Sequence, residues 1–520
     1  MDTERLLKIA LEYFEHEYAP YVGGASLLAG AVIWFCATDI SRVLKHTAYR
    51  LCYQQESGKA PIPGPLEDTR IIRFIDGPRM VTEYRQKYGP LYRVFCGDIP
   101  EIVLTDPDDI RAYYHGDAKV HFKIPNIGFG EYMGRVLGQS VGVKHNEDWR
   151  RLRTHIDPHF TAQKASELLP IMISDTDKWI KSLPRLSHVV RNEKDNKLVI
   201  KAEELVSILP FKMIARRVFG ELVDDKLIDE LFHLNLVHER VINHTFFGKF
   251  EQWKIFRYLP VQANRDVDGF EREWATLLKR TSLEAERKGI TTTVGELYKN
   301  MKEGHMTFLE FAHSIDEILF TNMDVTTTSI SWVTAQVAMN PSVMTRLHKE
   351  IDDALSDEHL GSNRQDRADA YIRKTDTLLH YCYLESGRLH PVLFYSFPEL
   401  TAEPKIIHGY YIPPKTSVLI DTYTLNRDAP VWGTDGRVFR PDRFGELLPT
   451  QYRYSYWRFG LGPRKCVGIN FGDKIIKTVL MGIMEKYSVE VVDNYLGEDF
   501  TKFVHAPAGT MVFTPRQSET

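Results

Sequence analysis

Apolar residues recur at three- and four-residue intervals through FLEFAHSIDEILF and SISWVTAQVAM, and this spacing predicts one long helix over 307–339. The same periodicity predicts helices around 147–156, 201–219, 266–288, 341–355 and 376–390, and another after Cys466. Short strands are expected near YGPLYRVFCG, PEIVLTD, HGYYIP and SVLIDTY. Strands so few and so clustered predict a mainly α chain, one helix-rich body carrying small β-sheets. The charged stretch GSNRQDRADAYIRKTD reads as a solvated surface loop. The chain carries no internal repeat, no low-complexity tract and no second linker rich enough to divide the body.

The N-terminus has a different pattern. From Ala19 to Thr38 runs APYVGGASLLAGAVIWFCAT, twenty residues without a charge, about the length that crosses a hydrocarbon core. The preceding MDTERLLKIALEYFEHEY is acidic, which is wrong for the n-region of a cleaved signal. Arg42, Lys45 and Arg50 follow, so the positive-inside rule puts the downstream mass in the cytoplasm. The stretch from Ser57 to Pro65, SGKAPIPGP, reads as a stiff linker because each Pro fixes its own φ and restricts its neighbour. The expected organisation is a non-cytoplasmic segment (1–18), a single transmembrane anchor (19–38), a linker with a Pro-rich hinge (39–65) and the folded body (66–520).

Composition narrows the function. Of 520 residues, 43% are hydrophobic and 26% charged, enough to bury a core. Lys+Arg 66 against Asp+Glu 70 leaves a formal charge of −4 with no basic block, so the chain lacks the electrostatic footprint of a nucleic-acid binder. Five Cys, at Cys36, Cys52, Cys96, Cys382 and Cys466, make no disulfide framework and fit a reducing compartment. Each is therefore a candidate ligand or nucleophile.

Cys466 has the most informative surroundings. In FGLGPRKCVG, Phe459 to Gly468, three Gly enclose it, Arg464 stands two residues before it and an apolar helical run follows. Gly lets backbone amides approach a sulphur closely, and a helix start nearby stabilises an anion. A metal-bound thiolate suits this pattern. A buried structural Cys in a turn gives no reason for Gly, Arg and Phe at these offsets.

That segment resembles the haem-thiolate loop of the cytochrome P450 family. LESGRLHP, with Glu385 and Arg388, resembles the family's Glu-x-x-Arg helix. FRPDRF, with Phe439, Pro441, Arg443 and Phe444, is similar to the segment that brings a second Arg to that carboxylate. WRRLR, with Trp149 and Arg153, is similar to the helix whose Trp and Arg hold a haem propionate, and TNMDVTTT stands where the family has its oxygen-activation motif. The anchor and the PIPGP linker also resemble those of membrane-bound members, and the matches run from about residue 20 to 515.

The resemblance implies a P450-like α-rich fold behind one transmembrane helix, with 66–520 as the catalytic domain. It implies haem b bound through Cys466 as the axial thiolate, with Phe459, Trp149, Arg153 and Arg464 as cofactor-binding residues. Glu385, Arg388 and Arg443 become a buried structural network rather than a surface i,i+3 pair. A thiolate opposite the open iron position favours O–O cleavage, so the implied activity is that of a monooxygenase. One oxygen atom enters a small organic substrate, with electrons from NADPH through a separate NADPH–cytochrome P450 reductase. Oxidative coupling, desaturation or rearrangement without net oxygen insertion is the alternative. The implied location is the endoplasmic reticulum membrane, with the catalytic domain cytoplasmic. The overall pattern is most similar to fungal members of secondary metabolism, and substrate-facing segments would fall near 118–140, 230–260, 392–397 and 503–509, including Phe122, Phe129, Phe394, Tyr395 and His505.

Two departures stand out. Phe397-Pro398-Glu399 puts an acid where the family often has an Arg that reaches a propionate. On the long helix the usual small residue, Gly, any residue, acid and Thr read Thr321, Asn322, Met323, Asp324 and Val325. Asp324 is therefore expected to be the acid of a proton relay, with Thr326 or an ordered water supplying the hydroxyl that Val325 lacks.

Overall fold

In the computed structural model the described residues are 61–97, 99–116, 121–123, 131–192, 196–206, 208–247, 257–492, 497–498 and 504–516, with isolated positions between 40 and 48. The expected anchor at 19–38 and the larger part of the linker lie outside them, as does Phe129. Among the described residues no helix is long and apolar enough to cross a membrane.

The body is mainly helical. Its chief helices are α1 (Asn146–Ile156), α2 (Ala162–Ser182), α3 (Leu209–Phe219), α4 (Asp225–Phe247), α5 (Gln262–Lys288), α6 (Phe308–Ala338), α7 (Pro341–Ser356), α8 (Arg364–Arg373), α9 (Leu378–Leu389) and α10 (Ile469–Lys486). Helix α6 is the axis, packed against α3, α9 and α10. Its start is fixed by a capping box: Glu310 N–H donates to Thr307 Oγ1 at 3.1 Å, and Thr307 N–H donates to Glu310 Oε2 at 2.8 Å. Midway, Phe320 is buried among Phe211 of α3 and Phe270 and Trp274 of α5.

Strands form two main sheets. The first joins β1 (Leu91–Cys96), β2 (Ile99–Leu104), β3 (Phe122–Lys123), β6 (Glu399–Leu400) and β7 (Ser417–Ile420) in the spatial order β1-β2-β7-β6-β3. Only β2 and β7 pair parallel; β3 and β6 pair antiparallel, placing Lys123 opposite Glu399. The second joins β4 (Val190–Asn192), β5 (Lys197–Lys201), β8 (Tyr487–Val491) and β9 (Thr510–Pro515) in the order β8-β9-β5-β4.

Two expectations need correction. The segment 361–376 is not a loop: it contains α8, capped by Asn363 Oδ1, which accepts from Asp366 N–H at 3.0 Å. Its inner face is only Ala368, Tyr371 and Ile372, too short an apolar stripe to show through so many charges. The helix expected over 201–219 begins at Leu209, because Pro210 brings no N–H and the chain before it ends β5 and makes a short 3₁₀ turn at Ala202–Glu204.

Candidate active site

The Cys466 loop is closed by its own backbone. Cys466 N–H donates to Phe459 C=O at 2.8 Å, while Gly460 and Gly462 take φ of +82° and +69°, a region that favours glycine. Gly468 N–H donates to Cys466 Sγ at 3.3 Å, and α10 starts one residue later. The Phe459 ring sits against Gly472 on that helix, where an added Cβ would come within 3.3 Å of it. The Cys466 side chain is accessible. Burial of its surroundings pushes the thiol above its ordinary pKa, the Gly468 N–H and the Arg153 guanidinium pull it down, and the Glu317 carboxyl pushes it up. A bound metal ion reverses that balance, because a coordinated thiol loses its proton.

Helix α1 supplies the next side chains. Trp149 and Arg153 are one turn apart, with the guanidinium 5.8 Å from the indole ring and paired to Asp157 at 2.6 Å. Arg464, from the Cys466 loop, lies over the same ring at 4.8 Å. Its guanidinium donates to the carbonyls of Gly142, at 3.4 Å, and Lys144. Arg464 makes no ion pair among the described residues. Burial and the Arg153 charge lower its pKa to about 10, against the opposing pull of Glu399 and Glu317. The structure thus brings together Trp149, Arg153, Arg464 and Cys466.

Residues 139–144 join this cluster to α6. Gln139, Val141 and Gly142 donate their N–H groups to His313 Nδ1, Ser314 Oγ and Glu317 Oε2 at 3.1, 3.1 and 2.9 Å. Gly142 lies so close that a Cβ there would be 1.8 Å from Glu317 Oε1. Glu317, Thr321 and Asp324 follow at i, i+4 and i+7, a single stripe of the helix. Glu317 is near enough to Arg464 and Cys466 to perturb both, so the stripe faces the loop. Thr321 and Asp324 are accessible in the middle of an otherwise packed helix. Accessible surface on this stripe and on Cys466 marks a gap between α6 and the loop.

Asp324 and Thr326 do not converge. Two residues apart on an α-helix means roughly 200° of rotation, and Thr326 is buried whereas Asp324 is accessible. Ser329 and Thr334 donate back to the carbonyls of Val325 and Ile330, both at 2.8 Å.

Behind α6, Glu385, Arg388 and Arg443 meet in a dry network, 0%, 0% and 1% exposed at the side chain. Arg388 grips both carboxylate oxygens at 2.7 and 2.8 Å; Arg443 Nε and Arg440 N–H add bonds of 2.9 and 2.8 Å. The remaining guanidinium donors reach the carbonyls of Asn426, Gly436, Trp432 and Asp435. Sequence reasoning missed how this network connects to the loop. Asn426 exchanges bonds of 2.9 and 2.7 Å with Trp457 C=O and N–H, and Tyr456 OH donates to Leu384 C=O at 2.7 Å. A lone Asn or Tyr gives no periodic signal. Of the expected substrate-facing aromatics, Tyr395 is instead core, its OH 3.1 Å from that of Tyr92; Phe394 is buried edge-on to His505.

The donor set fits a haem. One accessible sulphur lies between a backbone N–H and a helix start, the half-buried Arg464 guanidinium lacks a carboxylate among the described residues, and an accessible helix stripe carries Glu317 near both. Comparison with known proteins agrees. Residues 73–512 match the family model described as Cytochrome P450. The chain is 32% identical over 472 residues to the cytochrome P450 monooxygenase PUL2 of Kluyveromyces lactis, covering 88% of this chain and 89% of that one. It is 30% identical over 427 residues to lepD of Aspergillus flavus (82% of each) and 31% over 441 residues to aclC of Aspergillus oryzae (85% and 87%), both also named cytochrome P450 monooxygenases. The chain belongs to the cytochrome P450 family, oxidoreductases whose cofactor is a thiolate-ligated haem iron.

Proposed function

We propose that this chain is a monooxygenase that inserts one oxygen atom of dioxygen into a small organic substrate of fungal secondary metabolism, taking electrons from NADPH through a separate reductase. The observation that carries the reading is the accessible Cys466 sulphur facing the accessible stripe of α6. When bound, the haem iron supplies dioxygen activation. Cys466 holds the metal as an anion, with Gly468 N–H donating to the sulphur. Trp149, Arg153 and Arg464 form the polar edge that receives carboxylates, Arg464 through a fork of donors already aimed by two backbone carbonyls. The Glu385, Arg388 and Arg443 network keeps the loop's supporting segment rigid through Asn426 and Tyr456. Asp324 moves protons into the gap, with an ordered water in series because Thr326 lies on the other side of the helix. The segment 19–38 anchors the chain in the endoplasmic reticulum membrane, with 66–520 on the cytoplasmic side.

The test compares metabolites of a host expressing the chain with those of one expressing Cys466→Ser, both grown under labelled dioxygen. Products specific to the intact chain should carry one labelled oxygen atom. Specific products without label would replace this reading with coupling, desaturation or rearrangement.

A further inference from the structure

Three acids lie in the first ten residues of α6, and two of them are matched by basic side chains. Glu310 takes Arg151 at 2.7 Å and Lys144 at 3.4 Å, and Asp316 takes His238 of α4 at 2.9 Å. Glu317, the third, makes no ion pair among the described residues. Its Oε2 accepts the Gly142 N–H at 2.9 Å, and the C=O of that same Gly142 accepts from Arg464 at 3.4 Å. One residue thus stands between the Glu317 carboxylate and a guanidinium two positions from Cys466. These contacts fix the carboxylate at the edge of the gap.

Docking of 139–144 does not need an acid at this position. Ser314 and His313 receive the N–H groups of Val141 and Gln139 without one, and a neutral amide would serve Gly142 as well. Burial pushes the Glu317 carboxyl above its ordinary pKa, against the pull of the Gly142 N–H, the Ser140 hydroxyl and Arg464, so stability alone gives no reason for a carboxylate here. An ionised carboxylate accepts at about four lone-pair positions, and Gly142 and Ser140 occupy two at most. The side chain is half-buried, and the accessible Thr321 and Asp324 follow it on the same stripe. A molecule entering the gap therefore meets an acceptor with capacity left. A nitrogen donor suits it better than a hydroxyl, which brings two lone pairs of its own. The donors beside Glu317 are already committed, the Gly142 N–H to Oε2 and Arg464 to backbone carbonyls.

We propose that Glu317 is a specificity-determining residue that accepts a hydrogen bond from a nitrogen of the substrate, and that the substrate is an amide or amine carrying N–H. The inference rests on reading the gap between α6 and the Cys466 loop as the place where substrate is oxidised.

The probe is the compound that the intact chain consumes in the host comparison above, together with its N-methylated analogue. After growth of the host on isotopically labelled ammonium, that compound should show a nitrogen–proton coupling. Purified holoprotein is then titrated with each probe, and binding is followed by the spin-state shift of the haem iron. Glu317→Met should weaken binding of the parent compound about 10–100-fold, the scale of one hydrogen bond to a charged group. N-methylation should cost the natural chain a similar factor and cost Glu317→Met nothing further. Glu317→Gln keeps an acceptor for Gly142 and for the ligand but loses the charge. An amide should therefore keep most of its affinity for it, whereas a protonated amine should lose as much as in Glu317→Met. A compound without N–H, unchanged affinity in Glu317→Met, or an equal loss of parent and N-methylated compound in that variant would overturn the proposal; the last is what a merely structural role gives. Binding is read without turnover, so a compound held through its N–H that gains no oxygen faults the monooxygenase reading and not this one.

Discussion

Asp324 and Val325 occupy neighbouring positions on α6 but have different fates. Asp324 is exposed, and half-buried Val325 offers the shape of a Thr without its hydroxyl. Asp324→Asn keeps size and hydrogen bonding but cannot deliver a proton, so product formation should fall roughly 10²–10⁴-fold, the usual range for a lost general acid. Val325→Thr should remain active. Product and peroxide measured per NADPH consumed check both; full turnover with unchanged peroxide in Asp324→Asn contradicts the assignment. The sequence offered Asp324 as the acid through its place in TNMDVTTT, with Thr326 or an ordered water supplying the hydroxyl. Thr326 is buried and Asp324 exposed, roughly 200° apart around the helix, which favours the water.

At the scale of elements, the start of α6 carries a charge cluster with a defined pH signature. Glu310 closes the capping box and pairs with Arg151 at 2.7 Å and Lys144 at 3.4 Å. Burial opposes its ionisation, but the Arg151 hydrogen bonds, the Thr307 N–H and the nearby cations hold it at about 2, against 4.5 for an ordinary Glu. A carboxyl depressed in the folded state stabilises the fold above its unfolded value, and that contribution disappears as pH falls through the folded one. The gap in thermal midpoint between the natural chain and Glu310→Gln should thus be constant above about pH 5 and close towards pH 2. A gap that widens on acidification contradicts the pairing. Gly142→Ala tests the docking of 139–144 on the same helix: a Cβ 1.8 Å from Glu317 Oε1 should cost about 1–3 kcal/mol, read as a lower thermal midpoint. Helix α6 was legible because its apolar spacing persists through most of its length. Helix α8 was not, since three buried residues are too few to set a period. The second sheet escaped for another reason: β5 and β9 pair Lys201 with Thr510, and nothing in either segment announces the other.

Across the whole molecule, the Glu385 network ties α9 to the segment that leads into the Cys466 loop. Its three members were legible as motifs, whereas the carbonyls and Asn426 that complete it depend on tertiary closure. Removing Glu385 leaves two buried guanidinium groups uncompensated, about 3–5 kcal/mol of a total stability of about 5–15 kcal/mol. Glu385→Ala should therefore yield apoprotein or aggregate, and normal haem content with an unchanged thermal midpoint would contradict a load of that size. The pairing of Lys123 with Glu399 shows the same limit: the sequence displayed the missing Arg, and only the β3–β6 register displayed what stands opposite. The claim on which the account turns is that Cys466 is the protein ligand of the haem iron. A neutral Ser cannot replace a soft anionic sulphur, so the carbon-monoxide difference spectrum of reduced Cys466→Ser should lose the thiolate-haem band, while Ser at Cys96 or Cys382 leaves it intact. A thiolate band that survives in Cys466→Ser would contradict the account.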